Sequence, residues 1–188
     1  MLSKSETIHN LVNAFAGESQ ARNRYTFYAK AAKEEGYLQI AKIFEETAHN
    51  EHQHAKIFYK FIPEDHYDVK ASYPFFLGKT YDNLMSASDA EHEEWTVIYK
   101  NAAEVAEKEG FKDIAKAFSL IVDIEKYHQN RFLELAKLIK DKHVFTREYE
   151  VPWICNKCGY HTINKSAPLN CPVCQHDYSH FQLLCDKY

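Results

Sequence analysis

Apolar residues recur at three- and four-residue spacing along two long stretches of the chain. Over 111–140, Ile114, Phe118, Ile121 and Val122 fall on one helical face. Proline breaks helix interiors. The five prolines stand at 63, 74, 152, 168 and 172, which leaves 1–62 and 75–151 free for long helices. The pattern predicts helices over 4–35, 37–61, 81–109 and 111–140. Gly36 and Gly110 fall at two tight joints, where a left-handed turn favours glycine. Residues 62–80, IPEDHYDVKASYPFFLGKT, are too long for a tight turn and too aromatic for a floppy linker. They read as the long crossover that carries a chain from one end of a bundle to the other. Residues 141–152, DKHVFTREYEVP, read as a linker. Residues 153–188 are short and turn-rich, and need a staple to hold a core.

The helical part repeats itself. A shift of 74 aligns EEGYLQIAKIF (34–44) with KEGFKDIAKAF (108–118). The same shift pairs Tyr25 with Tyr99, Glu51 with Glu125, His54 with His128 and Phe58 with Phe132. The expected domain is a duplicated helix pair.

Chemistry follows the repeat. Glu51-His52-Gln53-His54 and Glu125-Lys126-Tyr127-His128 are both Glu-x-x-His. Positions i and i+3 share a helix face, so each motif offers a carboxylate and an imidazole to one metal. The first helix adds Glu18, and the third adds Glu91 and Glu94. Two Glu-x-x-His motifs with a glutamate from each of the other helices form the ferritin-like di-metal carboxylate pattern. Any one acid in a chain with 27 would be a solvated surface group. Several carboxylates packed together in a core need cations to stay ionised. Tyr25 lies seven residues, two turns, beyond Glu18, and it and Tyr99 are placed to hydrogen-bond liganding carboxylates. His49, His52 and His92 read as surface residues. The fold expected for 1–140 is an all-α ferritin-like four-helix bundle with one long crossover.

The tail carries all five cysteines. Cys155, Cys158, Cys171 and Cys174 are spaced C-x2-C-x12-C-x2-C, which suits one tetrahedral zinc or iron ion. Such an ion would supply the folding energy the segment lacks. A disulfide pair is the competing reading. Cys185 has no partner and reads as packing with Phe181, Leu183 and Leu184.

Composition trims the options. With 23 basic and 27 acidic residues the net charge is −4, against a nucleic-acid binder or a polybasic membrane anchor. No apolar run approaches the roughly 20 residues of a membrane span. No signal peptide is apparent at the N-terminus, so a cytoplasmic location is expected.

With AFAGESQARNRYTFYA, the two Glu-x-x-His motifs, Glu91-x-x-Glu94-Trp95, C-x-x-C-G-Y, C-P-x-C and the terminal HFQLL in this order, the sequence resembles the rubrerythrins across essentially its whole length. The resemblance implies a bundle at 1–140, a linker at 141–152 and a rubredoxin-like domain at 153–188. It implies two irons held by Glu18, Glu51, His54, Glu91, Glu94, Glu125 and His128, with Glu51 and Glu125 bridging. It implies a third iron on Cys155, Cys158, Cys171 and Cys174. Glu94 would be the extra carboxylate that separates these proteins from ferritin-type sites, exchanging with His54 on reduction. The implied activity is reduction of hydrogen peroxide to water for oxidative-stress protection. Glu94 and His54 would be the catalytic pair. Electrons would come from an NAD(P)H-dependent reductase or a rubredoxin, and a head-to-tail homodimer or higher oligomer is implied. The competing readings are a ferroxidase or iron-storage protein, a non-enzymatic zinc-ribbon interaction module on a helical bundle, and a substrate-hydroxylating oxygenase.

Overall fold

The computed structural model describes residues 2–185. A 3-10 turn at Leu2–Lys4 precedes helix α1, Glu6–Glu34. Ser5 caps α1, its hydroxyl accepting from the Ile8 N–H at 3.2 Å. Helix α2 spans Leu38–Tyr59, and the crossover leads to α3, Thr80–Glu93. The third rod is not one α-helix. Its middle, Glu94–Ile98, is a π-helical turn, closed by the Tyr99 N–H on the Glu94 carbonyl, and α4 continues over Tyr99–Lys108. Helix α5 is Lys112–Lys140. α1 packs along α2, while α3, the π turn and α4 pack along α5. No helix among the described residues is long and apolar enough to cross a membrane.

The repeat is visible in the hydrogen bonds. Gly36 (φ 81°) and Gly110 (φ 86°) occupy the left-handed region at the two joints. The Tyr37 N–H reaches back to the Ala32 carbonyl and the Phe111 N–H to the Ala106 carbonyl, both at 2.8 Å. Glu35 beside the first joint accepts from Thr80 at the start of α3. Glu109 beside the second accepts from Glu6 and Thr7 at the start of α1. Beyond the π turn the halves are 74 residues apart, as for Glu35 and Glu109. Before it they are 73 apart, as for Thr7 and Thr80 or Glu18 and Glu91. A π turn accommodates one extra residue within a helix. This insertion is why the expected single helix over 81–109 is broken in its middle.

Two aromatic clusters flank the bundle centre. Tyr25, Phe44 and Phe132 form one, with ring centroids 5.2–6.1 Å apart. Tyr99, Phe118 and Phe58 form the other at 4.8–5.7 Å, and they are the repeat counterparts of the first set. All six are fully buried. They enclose the space between them in apolar, water-free walls.

The tail is a three-stranded antiparallel sheet, order β2-β1-β3, with β1 at Thr146–Cys155, β2 at His161–Ser166 and β3 at Phe181–Leu183. Strand β1 takes up 146–152 of the expected linker and begins to pair at Thr146 with Ser166. A small core of Trp153, Cys155, Ala167, Cys171 and Phe181 lies inside. The tail rests on the α1–α2 joint, where Phe145 stacks on Tyr37 with centroids 6.2 Å apart. Cys185 is exposed rather than packed as expected. It follows strand β3, outside the tail's buried cluster.

Candidate metal centres

Helices α1, α2, α3 and α5 each send acids into the slot between the aromatic clusters. Glu18, Glu51, Glu91, Glu125, His54 and His128 are all buried to 4% exposure or less. They gather into two overlapping groups. One is Glu18, Glu51, His54 and Glu125; the other is Glu51, Glu91, Glu125 and His128. Within each group the donor atoms lie within 4.8 Å of one another. Glu51 and Glu125 belong to both.

The groups have matching geometry. His54 Nδ1 lies 2.9 Å from Glu51 Oε2, 2.9 Å from Glu125 Oε1 and 3.8 Å from Glu18 Oε2. His128 Nδ1 lies 2.8 Å from Glu125 Oε2, 3.2 Å from Glu51 Oε1 and 3.7 Å from Glu91 Oε2. A ring nitrogen carries at most one proton, yet three carboxylates converge on each. Glu18 Oε2, Glu51 Oε1, Glu91 Oε2 and Glu125 Oε1 are buried with no hydrogen-bond partner among the described residues. Such separations are those of ligands sharing a cation at about 2.0–2.2 Å. The donor set fits two metal ions.

The electrostatics of the bare groups show the same strain. Burial, then the Glu125 charge, pushes the Glu18 carboxyl well above the usual carboxylate range. Burial, with Glu51 and Glu125 nearby, pushes Glu91 up to about 8. Burial also pushes Glu51 up, but hydrogen bonds with His128 and His54 outweigh it and hold it at about 2. Burial lowers His128, but Glu125, Glu51 and Glu91 raise it to about 12, and His54 is raised in the same way. Without metal, protons do the work that cations would do.

The two tyrosines cross over. Tyr99 donates to Glu18 Oε1 at 2.6 Å, and Tyr25 donates to Glu91 Oε1. Burial pushes both hydroxyls well up, so they stay protonated donors.

Glu94 stands apart from both groups. It opens the π turn, half-buried, and none of its atoms is within the 4.8 Å clusters. Burial, then Glu91 and Glu18, pushes its carboxyl well up. His49, His52 and His92 are exposed. Sequence reasoning missed what supports the site. Tyr73 of the crossover donates to the Asn13 carbonyl at 2.8 Å, and its ring lies over Gly17, 3.5 Å from where a Cβ would stand. Arg131 joins α5 to Glu46 and Thr47 of α2, and Trp95 donates to Gln129.

In the tail Cys155 Sγ lies 3.7 Å from Cys174 Sγ, and Cys158 Sγ lies 3.5 Å from Cys171 Sγ. A disulfide is about 2.05 Å long, so the disulfide reading fails and all four are free thiols. A tetrahedral ion with bonds of about 2.3 Å sets its sulfurs about 3.8 Å apart, which these separations fit. Burial pushes the Cys171 thiol up, but the Cys174 and Val173 N–H groups outweigh it and bring it down to about 7. Glycine at 159 (φ 78°) lets the first knuckle turn.

Comparison with known proteins agrees with both centres. Residues 9–136 match the Rubrerythrin family, and 153–182 match the family described as Rubrerythrin, rubredoxin-like domain. Rubrerythrin-1 of Clostridium acetobutylicum is 49% identical, covering 100% of this chain and 98% of that one. The rubrerythrin of Nitratidesulfovibrio vulgaris is 42% identical over 97% of this chain and 96% of its own. Among solved structures, a mixed-valence nigerythrin superposes with a TM-score of 0.65 at 28% identity, covering 98% of this chain and 92% of that one. A Desulfovibrio desulfuricans bacterioferritin superposes at 0.67 with 21% identity over 73% of this chain and 82% of that one, a likeness of fold. Paired Glu/His clusters in a ferritin-like bundle, a four-cysteine site after it and full-length relatives converge on one conclusion: the chain belongs to the rubrerythrin family.

Proposed function

We propose that the protein reduces hydrogen peroxide to water at the bundle site, with electrons delivered through the four-cysteine site. The observation that carries the reading is the pair of buried Glu/His groups sharing Glu51 and Glu125, in a chain that also holds a second, thiolate site. Glu18 and His54 would hold one iron, Glu91 and His128 the other, and Glu51 and Glu125 would bridge. Two ferrous ions bound there supply the two electrons that peroxide requires.

The chain's own residues set the conditions. Tyr99 and Tyr25 fix Oε1 of Glu18 and of Glu91, leaving Oε2 of each, which faces His54 or His128, free for metal. The six flanking rings keep water out from either end. Glu94, half-buried and close enough to Glu91 and Glu18 to feel their charge, would pass protons inward. His54 sits within its cluster while Glu94 waits outside, which supports an exchange of the two during turnover. The tail would take electrons from an NAD(P)H-dependent reductase or a rubredoxin. It rests at the α1–α2 joint, and Glu51 lies 51 − 38 = 13 residues along α2 from that end, roughly 20 Å of helix. That separation supports delivery to the bundle of a second copy arranged head to tail.

The test is an iron count with an absorption spectrum of the reduced protein before and after peroxide. About three irons per chain are expected, and visible bands that return in full with about 1.5 equivalents of peroxide per chain, since three ferrous ions give three electrons and each peroxide takes two. Many irons per chain would mark a storage protein, and a colourless zinc form unchanged by iron reconstitution would end the redox reading.

A further inference from the structure

The π turn is fastened from outside. Trp95, its second residue, is half-buried and donates its indole N–H to Gln129 Oε1 of α5 at 2.6 Å. His92 Nδ1 stands 3.4 Å from the same oxygen, and its ring lies perpendicular to the indole with centroids 5.4 Å apart. Lys100 and Lys126 bring Nζ to 4.9 and 5.3 Å from the centre of the indole ring, the range of a cation–π contact. Each member of this clasp is the chain neighbour of a group inside the bundle. Trp95 follows Glu94, His92 follows Glu91, Lys100 follows Tyr99, Lys126 follows Glu125 and Gln129 follows His128. Successive helical residues point about 100° apart, so the clasp grips the outer side of the turns whose inner side carries the candidate ligands.

The first half of the repeat lacks this bond. Gln129 corresponds to Ala55, and Trp95 to Ala21 or Arg22. An alanine side chain offers no acceptor. The indole–carboxamide bond therefore exists only in the half that carries the extra residue. There the register has to be held. A slip of the turn by one residue would swing Glu94 about 100° round the rod. Glu94 opens the turn, half-buried and outside both donor groups, and such a slip would destroy that placement.

We propose that Trp95 and Gln129 are positioning residues: their hydrogen bond locks the π turn to α5 beside His128 and so fixes where Glu94 stands relative to the buried groups. The inference rests on the role proposed above for Glu94. Two features separate the lock from ordinary packing along the seam. Phenylalanine at 95 keeps an aromatic ring against α5 and loses only the donor. The acceptor is a single oxygen, Gln129 Oε1, which a glutamate carboxylate reproduces.

The test pairs hydrogen–deuterium exchange of the iron-loaded full chain, read by mass spectrometry, with peroxide oxidation of the same protein after reduction. Gln129→Ala should speed exchange over 94–100 about tenfold or more, as local opening becomes easier, and leave the repeat-related stretch 21–27 unchanged. Oxidation should slow about tenfold or more, the scale of a misplaced group, with iron content unchanged. Gln129→Glu should restore both. Trp95→Phe should reproduce Gln129→Ala, and the two together should be no worse than either; Trp95→Phe also reads the bond should Gln129→Ala fold poorly. In a Glu94→Ala background Gln129→Ala should slow oxidation no further. Unchanged exchange over 94–100 in both single variants would overturn the lock. Faster exchange with a native oxidation rate would overturn the positioning of Glu94. So would a loss of rate that adds in full to that of Glu94→Ala, since the clasp would then act elsewhere. The exchange readout is independent of peroxide chemistry, so the lock and the proposed function fail separately.

Discussion

Tyr99 on the third rod donates to Glu18 on the first, and its repeat counterpart Tyr25 on the first donates back to Glu91 on the third. Each hydroxyl spans from one aromatic cluster to a carboxylate of the opposite half. Removing either frees a ligand to rotate. Tyr99→Phe should weaken metal retention at the bundle site by 10–100-fold, the usual scale for a group that orients a ligand. Tyr25→Phe should do the same. Chelator competition followed by metal analysis measures it, and equal retention in both variants and the native protein would refute the role.

Glu94 lies outside both clusters, so Glu94→Ala should leave about three irons per chain while slowing peroxide turnover at least tenfold. Peroxide-dependent oxidation of the reduced protein, followed by stopped-flow absorbance, is the measurement. Unchanged rates would remove Glu94 from the reaction.

Cys174→Ser should lower the iron content from about three to about two per chain. NAD(P)H-driven turnover should stop, while a chemically reduced bundle site still oxidises once with peroxide. Loss of both activities together would contradict the division between the two centres.

Gly110 has φ 86°, and a side chain there would meet nothing within 4 Å. The cost of Gly110→Ala therefore comes from the left-handed backbone alone, about 1–2 kcal/mol. Denaturant unfolding of the metal-free protein measures it. A cost near zero would mean the joint can re-form without its left-handed residue.

Glu109 gives a pH prediction. Hydrogen bonds from Thr7, foremost its hydroxyl, hold this carboxyl below its ordinary value. A carboxyl with a lowered folded pKa contributes stability above its unfolded value, near 4.3, and loses it as pH falls through the folded value. Glu109→Gln should lower the thermal midpoint at pH 7 and narrow that difference below about pH 4. A constant difference across pH 3–7 would show that the charge does not matter.

The helical repeat and its ligands were legible because a Glu-x-x-His on an apolar face states both period and chemistry. The cysteine spacing was legible for the same reason. Less legible was the third rod, where the repeat register changes from 73 to 74. The offset stood in the sequence as Glu18 against Glu91 and Tyr25 against Tyr99, but only backbone geometry shows where a helix absorbs one residue. Strand β1 hid within the expected linker because Thr146–Pro152 is mostly polar and more than half of its positions are exposed.

The π turn has a consequence for the pair of ions. Two perfectly matched halves would hold two equivalent ions and no reason for one to behave unlike its neighbour. One inserted residue places a spare acid on one half alone, since Glu94 has Ala21 or Gln20 opposite it in the other. Inequivalence between otherwise twin sites is thus encoded by the length of a single rod, before any difference in ligands is counted.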